Sequence, residues 1–224
     1  MIMGNRIFGG LALTAILATS SGASFAAPVY LNIDNISVSV GSGTGAGTSN
    51  NTFNGGQTID KVIDAPSATA SEDHNQTTHI WYTFSDPTDG LELVFDFGVS
   101  YDITTLHFWN YAFDNFSVDS VDFSFFDSLD QLIGQQTIMP LPSGSESNIT
   151  AQDYALLSPI NTRSVTAFLT GTNGEVDFQN IGFTANTSDP DLDPAPNVVP
   201  LPASIFLLLG GFVGLGLVRR RKAS

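Results

Sequence analysis

Leu91-Glu92-Leu93-Val94-Phe95-Asp96-Phe97, closed by Gly98, decides the fold. A short run rich in aliphatic and aromatic residues, set between turn signals, reads as a strand. The signal before it is Asp86-Pro87-Thr88-Asp89-Gly90, a turn by composition. Downstream, strand signals recur at Ile103 to Tyr111, Phe116 to Phe126, Leu132 to Ile138, Tyr154 to Leu157, Ser164 to Thr170 and Val176 to Thr184. Asp127-Ser128-Leu129-Asp130 turns the chain, Pro140 to Ser147 is a loop, and Gly171-Thr172-Asn173-Gly174 reads as a hairpin turn.

Upstream, Ile80 to Phe84 is a strand, Ala65 to Thr78 a polar loop, and Ile59 to Ile63 a short strand. Gly41 to Gly56, with little to bury, reads as a long loop. Val29 to Val40 alternates apolar and polar residues over most of its length, the period of a half-buried strand. No stretch between the termini sustains a helical period. Short strands with Gly, Pro and Asx turns predict an all-β fold, an antiparallel β-sandwich over residues 27–187.

The chain of 224 residues has no Cys. An exported domain of this composition holds itself by packing or by a metal. All 22 acidic residues lie between Asp34 and Asp193, where only Lys61 and Arg163 oppose them. Such a surface repels nucleic acid and anionic lipid and favours divalent counter-ions. Residues 1–26 read as a signal peptide: Arg6, an apolar run from Ile7 to Leu17, and Ser24-Phe25-Ala26 before the cut. Residues 188–198 are an acidic, proline-rich linker.

The last segment, 199–224, has three parts in fixed order. Val199-Pro200-Leu201-Pro202-Ala203 comes first, then an uncharged apolar run from Ala203 to Val218, then Arg219-Arg220-Arg221-Lys222. As a helix the apolar run spans roughly 24 Å, a little short of a bilayer core. The basic cluster resists translocation, so everything upstream lies outside. This tail resembles the PEP-CTERM sorting signal in its VPLPA variant, found in Gram-negative bacteria that make extracellular polysaccharide. The resemblance implies recognition by an exosortase-type protease, transient anchoring in the inner membrane through the C-terminal helix, and release to the cell surface.

The middle of the chain resembles the galactose-binding-like, or discoidin (F5/8 type C), jelly roll. Val62-Ile63-Asp64 supplies the family's early Asp, Trp81 its Trp, and Phe95-Asp96-Phe97-Gly98 stands where Asp-Leu-Gly would. Leu106 to Tyr111 resembles the strand ending in an Asn-Tyr pair, and Val176 to Phe183 the closing strand. Ala65 replaces the Gly after Asp64. The resemblance implies a structural calcium at Asp64.

No nucleophile elbow, P-loop, zinc-helix motif or Cys-based site is present, so no catalytic residue is assigned. His74, His79 and His107 are scattered without metal-ligand spacing. Trp109 to Phe116 crowds aromatics beside amides and a carboxylate, chemistry that suits a sugar. Most of these aromatics are read as core, with Trp109 near the rim and Tyr111, Asp114 and Asn115 toward solvent as the carbohydrate-binding candidates. The functional expectation is a non-catalytic, surface-sorted protein associated with the exopolysaccharide matrix. The alternatives are a lectin-like module with a defined glycan ligand and a secreted hydrolase.

Mature protein taken from the cell surface is expected to begin near Ala27 and to lack Arg219 to Lys222. Mass spectrometry of its terminal peptides checks this; an intact basic cluster would leave only a plain tail anchor.

Overall fold

The computed structural model describes residues 28–49, 59–75, 79–113 and 115–186. The expected signal peptide, linker and sorting tail, with Val199 to Ala203 and Arg219 to Arg221, lie outside the described residues, as does Asp114. In chain order the strands are β1 (Pro28–Leu31), β2 (Ser37–Val40), β3 (Gly47–Ser49), β4 (Ser71–Glu72), β5 (Ile80–Phe84), β6 (Leu91–Asn110), β7 (Ser120–Phe126), β8 (Leu132–Ile138), β9 (Ile149–Thr150), β10 (Gln152–Thr170) and β11 (Glu175–Asn186). Every pairing between these strands is antiparallel, and Ile59–Ile63 is a 3-10 turn.

Two long strands shape the molecule. The first half of β6 pairs with β2 and with the second half of β10, which continues to β7 and β8. The second half of β6 pairs with the first half of β10 and with β11, which β1 and β5 flank and β3 extends. Both long strands therefore pass from one layer of a sandwich into the other. The corner in β6 falls at Gly98, where φ is +72°, a backbone region that side-chain-bearing residues avoid. The Asp96 carboxylate accepts the Gly98 N–H at 2.8 Å and fixes the bend.

Leu91, Leu93, Phe95 and Phe97 alternate into the core from one layer. They meet Phe183 of β11, whose ring lies 5.3 Å from those of Phe95 and Phe97 and 6.4 Å from that of Phe123 on β7. These near-perpendicular ring pairs tie the two layers together. A second, smaller core of Ala65, Trp109 and Ile149 lies apart from the main one. Trp109 is fully buried there and donates its indole N–H to Ala70 O at 2.9 Å.

The sandwich appears where the alternation placed it, and several element boundaries move. Val29 to Val40 is two strands, because the Asn32 side chain accepts the Asp34 N–H at 3.0 Å and its carbonyl accepts from Asn35 and Ile36. That Asx turn outcompetes the extended chain. The Gly41 to Gly56 stretch contributes β3, whose backbone completes the free edge of β5. Ile59 to Ile63 is helical in the 3-10 sense, burying Val62 and Ile63. The turn Gly171 to Gly174 is no hairpin: β10 and β11 are separated by β6, and the turn carries the chain between layers.

At the end of β6, Asn110 is fully buried. Its amide nitrogen donates to Val118 O at 2.9 Å and Pro140 O at 3.1 Å, while its oxygen accepts from Tyr111 N at 2.9 Å and Val118 N at 3.0 Å. One side chain thus closes the 111–118 loop on itself and on the loop after β8. N110A is expected to lower stability by about 2–5 kcal/mol, since it strands buried backbone groups. Denaturant unfolding checks this, and a loss under about 1 kcal/mol would mean the loops are held otherwise.

Candidate functional site

β5 presents its outward residues at period two: His79 just before it, then Trp81 and Thr83, while Ile80 and Phe84 face the core. β11 does the same with Glu175 and Asp177 against Val176 and Phe178. Their register sets Trp81 directly opposite Asp177 and Thr83 opposite Glu175. Those two cross-strand pairs floor a cleft of about 370 Å³, and His74, Tyr111 and Phe116 complete its lining.

The wall is a cluster of rings. The His74 ring lies 4.4 Å from that of His79 and 4.7 Å from that of Tyr111. Tyr111 stacks near His79 at 6.2 Å and touches Phe113 and Phe116 at 5.6 and 6.4 Å. Phe113 and Phe116 are 48% and 42% exposed, whereas Tyr111 is 8% exposed.

Beneath the rings sits a buried polar pair. His79 Nε2 lies 3.3 Å from Asp177 Oδ2, and its Nδ1 lies 2.8 Å from Asn75 O. The other carboxylate oxygen, Asp177 Oδ1, has no hydrogen-bond partner among the described residues, although the side chain is almost fully enclosed. Burial pushes Asp177 up to about 6; the adjoining imidazole restrains the rise and the Glu175 charge adds to it. For His79, burial works to lower the pKa, but the Asp177 hydrogen bond and charge outweigh it and hold the imidazole above its usual range. His74 goes the other way, lowered by burial and by the His79 charge. Both nitrogens of His79 face acceptors, an arrangement that suits an imidazolium beside a carboxylate.

The sequence candidates fall unevenly around this cleft. Tyr111 lines it, but as a buried wall and not as a solvent-facing residue. Asn115 is exposed and lines a neighbouring cleft. Trp109, placed near the rim by sequence, is wholly internal, because the segment reaching Ala70 covers that face of β6. His79, Trp81, Glu175 and Asp177 were not among the candidates. The available signal was a charge at Asp177 between apolar neighbours on a strand; its partner Trp81 needs the register.

At Asp64 both carboxylate oxygens are already held, Oδ2 by Lys61 Nζ at 2.6 Å and Oδ1 by Asn180 Nδ2 at 2.9 Å. Among the described residues no group of three His, Cys, Asp or Glu could hold a metal ion. A calcium ion at Asp64 would have to displace the Lys61 ammonium and the Asn180 amide that now hold its oxygens. A further cleft holds the exposed Arg163–Asp96 pair, 3.6 Å apart, and no aromatic ring.

No protein-family model matches the chain, and no curated protein does. Among solved structures the chain is similar to the family 32 CBM from C. perfringens NanJ in complex with galactose, at 13% identity and a TM-score of 0.46, over 70% of this chain and 99% of that one. It is similar to an F5/8 type C domain from Bacteroides fragilis, at 10% identity and a TM-score of 0.48, over 71% and 97% of the two chains. A third is a fucose binding module from Streptococcus pneumoniae, at 16% identity and 0.40, over 62% and 93%.

Asp177 and His79 both bind protons more tightly in the folded state than in the unfolded one. The Asp177 contribution is complete below its unfolded value of 3.8 and fades as pH rises through about 6. The His79 contribution is complete below 6.5 and fades at higher pH. His74 opposes them in sign. Melting is expected about 3–6 °C higher at pH 5 than at pH 8, at roughly 2–4 °C per kcal/mol for a chain of this size. D177N should remove most of that slope in calorimetry; an unchanged slope would place its origin elsewhere.

Proposed function

We propose that this chain is a non-catalytic carbohydrate-binding module and that the cleft between β5, β11 and the 111–118 loop takes a neutral sugar. One observation carries the reading: aromatic carbon of Trp81 and Phe116 lines the same cleft as the polar groups of Thr83, Glu175 and Asp177. The apolar C–H face of a sugar ring stacks on the half-buried Trp81 and the exposed Phe116. Its hydroxyls then face Glu175 and the polar edges of Tyr111, Thr83 and Asp177 in the lining. Glu175 and Asp177 in the lining, within an acidic chain, disfavour anionic sugars and leave neutral glycans.

In this proposal the module is exported, handed by its tail to an exosortase-type protease, and held at the surface among extracellular polysaccharide. Single sites of this kind bind weakly, and many copies along one polymer supply avidity. The neutral-sugar ligand separates this role from that of a purely structural matrix protein.

Isothermal titration of the exported protein with galactose, fucose and the producing bacterium's own exopolysaccharide tests the reading. Saturable binding is expected with at least one of them. W81A is expected to weaken it by about tenfold, the scale of one lost stacking contact, with the fold retained. No binding by the unaltered protein, or full binding by W81A, would overturn it.

A further inference from the structure

A second cleft, of about 440 Å³, lies immediately beside the first. The boundary between them is a single turn of chain. Phe116 lines the first cleft, while its neighbours Asn115 and Ser117 line the second. This ridge is held at several points. Asn110 pins Val118, Phe113 O accepts the N–H groups of Phe116 and Ser117, and Asn173 Nδ2 donates to Asn115 O at 2.6 Å. Thr172 is hydrogen-bonded to Asp119, stapling the 171–174 turn to the same loop. The wall is therefore preorganised and does not have to be ordered by a ligand.

The floor of the second cleft is apolar and open. Met139 and Leu141 are 73% and 71% exposed, with Pro140 and Pro142 between and beyond them. Side-chain amides of Asn115 and Asn173 and the Thr172 hydroxyl stand at its edge. The second cleft holds no aromatic ring; it offers an aliphatic platform rimmed by amides, hydroxyls and the Asp119 carboxylate, which suits the C–H face and hydroxyls of a sugar unit. The Asn110 amide also fixes Pro140, so one residue ties the ridge to the floor of the second cleft.

We infer that the ligand is an extended neutral glycan chain, of at least two sugar units, that crosses the Phe116 ridge with one unit in each cleft. This inference rests on the carbohydrate reading of the first cleft. It assigns Met139 and Leu141 as the platform for the second unit, with Asn115 and Asn173 bonding its hydroxyls. Two contiguous clefts on one rigid frame favour a chain over a free monosaccharide, because the second unit binds without a new loss of translational freedom.

The test compares constituent monosaccharides with short fragments of graded length from partial hydrolysis of the producing bacterium's exopolysaccharide. Isothermal titration with the exported protein is expected to show fragments binding about tenfold or more tightly than any monosaccharide. A double M139S/L141A variant, both side chains lying at the surface, should lose that gain while keeping the monosaccharide affinity and the melting temperature. Equal affinity for monosaccharide and fragments, or a gain that survives in the double variant, would overturn the second subsite and leave the first intact. Failure of every sugar and fragment to bind would overturn the carbohydrate reading itself, and this inference with it.

Discussion

The loops at one end of this sandwich are joined by one buried amide. Asn110 sits where β6 runs out, fully enclosed, and makes four hydrogen bonds. A carboxamide with all its capacity used is stabilising inside a protein, and the same group half satisfied is costly, so the arrangement holds as a unit. Its partners are backbone groups of two loops that share no strand ladder with each other. Beyond this amide the 111–118 segment is held by the Tyr111 and Ala112 carbonyls pairing with Ser143 and Gly144, the turn at Phe113, the Asn173 bond to Asn115 O and the Ser117 bridge to β11. With these bonds, Tyr111, Phe116 and Pro140 take fixed positions on a frame set by the long strands.

The cleft combines that frame with an electrostatic tension. The chain is strongly acidic, and Asp177 is buried with Glu175 nearby on the same strand face. His79 relieves part of the cost: the Asp177 hydrogen bond and charge raise the pKa of its imidazole, while burial drives Asp177 upward. Sites of this kind, where burial and charge disagree, concentrate at functional positions. At Asp64 the opposite solution is found: Lys61, one of two cations in the acidic region, neutralises the carboxylate, and Asn180 ties it to β11. Asp177 has one oxygen without a hydrogen-bond partner among the described residues, whereas Asp64 spends both on internal partners.

The all-β class was legible because Leu91, Leu93, Phe95 and Phe97 alternate inward as a strand requires, and Leu132 to Ile138 falls on β8. The continuity of β6 and β10 was not legible, since Gly98 reads as a strand end when it is a bend within one strand. Local signals cannot distinguish these, because both use a glycine at positive φ. The aromatic crowding of Trp109 to Phe116 includes Tyr111 and Phe116, which line the cleft, but its expected depths are reversed: Phe113 and Phe116 are outside and Trp109 is internal. Depth there depends on the segment reaching Ala70, which is distant in sequence. Trp81 and Asp177 are brought together by strand register over nearly a hundred residues, which no local period encodes.

The central claim is that the Asn110-anchored end of the sandwich is where a neutral glycan binds. Nuclear magnetic resonance with isotopically labelled protein, titrated with exopolysaccharide fragments, tests it most directly by reading every amide and both indoles at once. We expect the largest shifts at the Trp81 indole and at amides of residues 111–118 and 172–177, with the amides around Asp130 and Arg163 unmoved. Shifts centred on the Arg163 cleft, or spread evenly over the surface, would contradict the account.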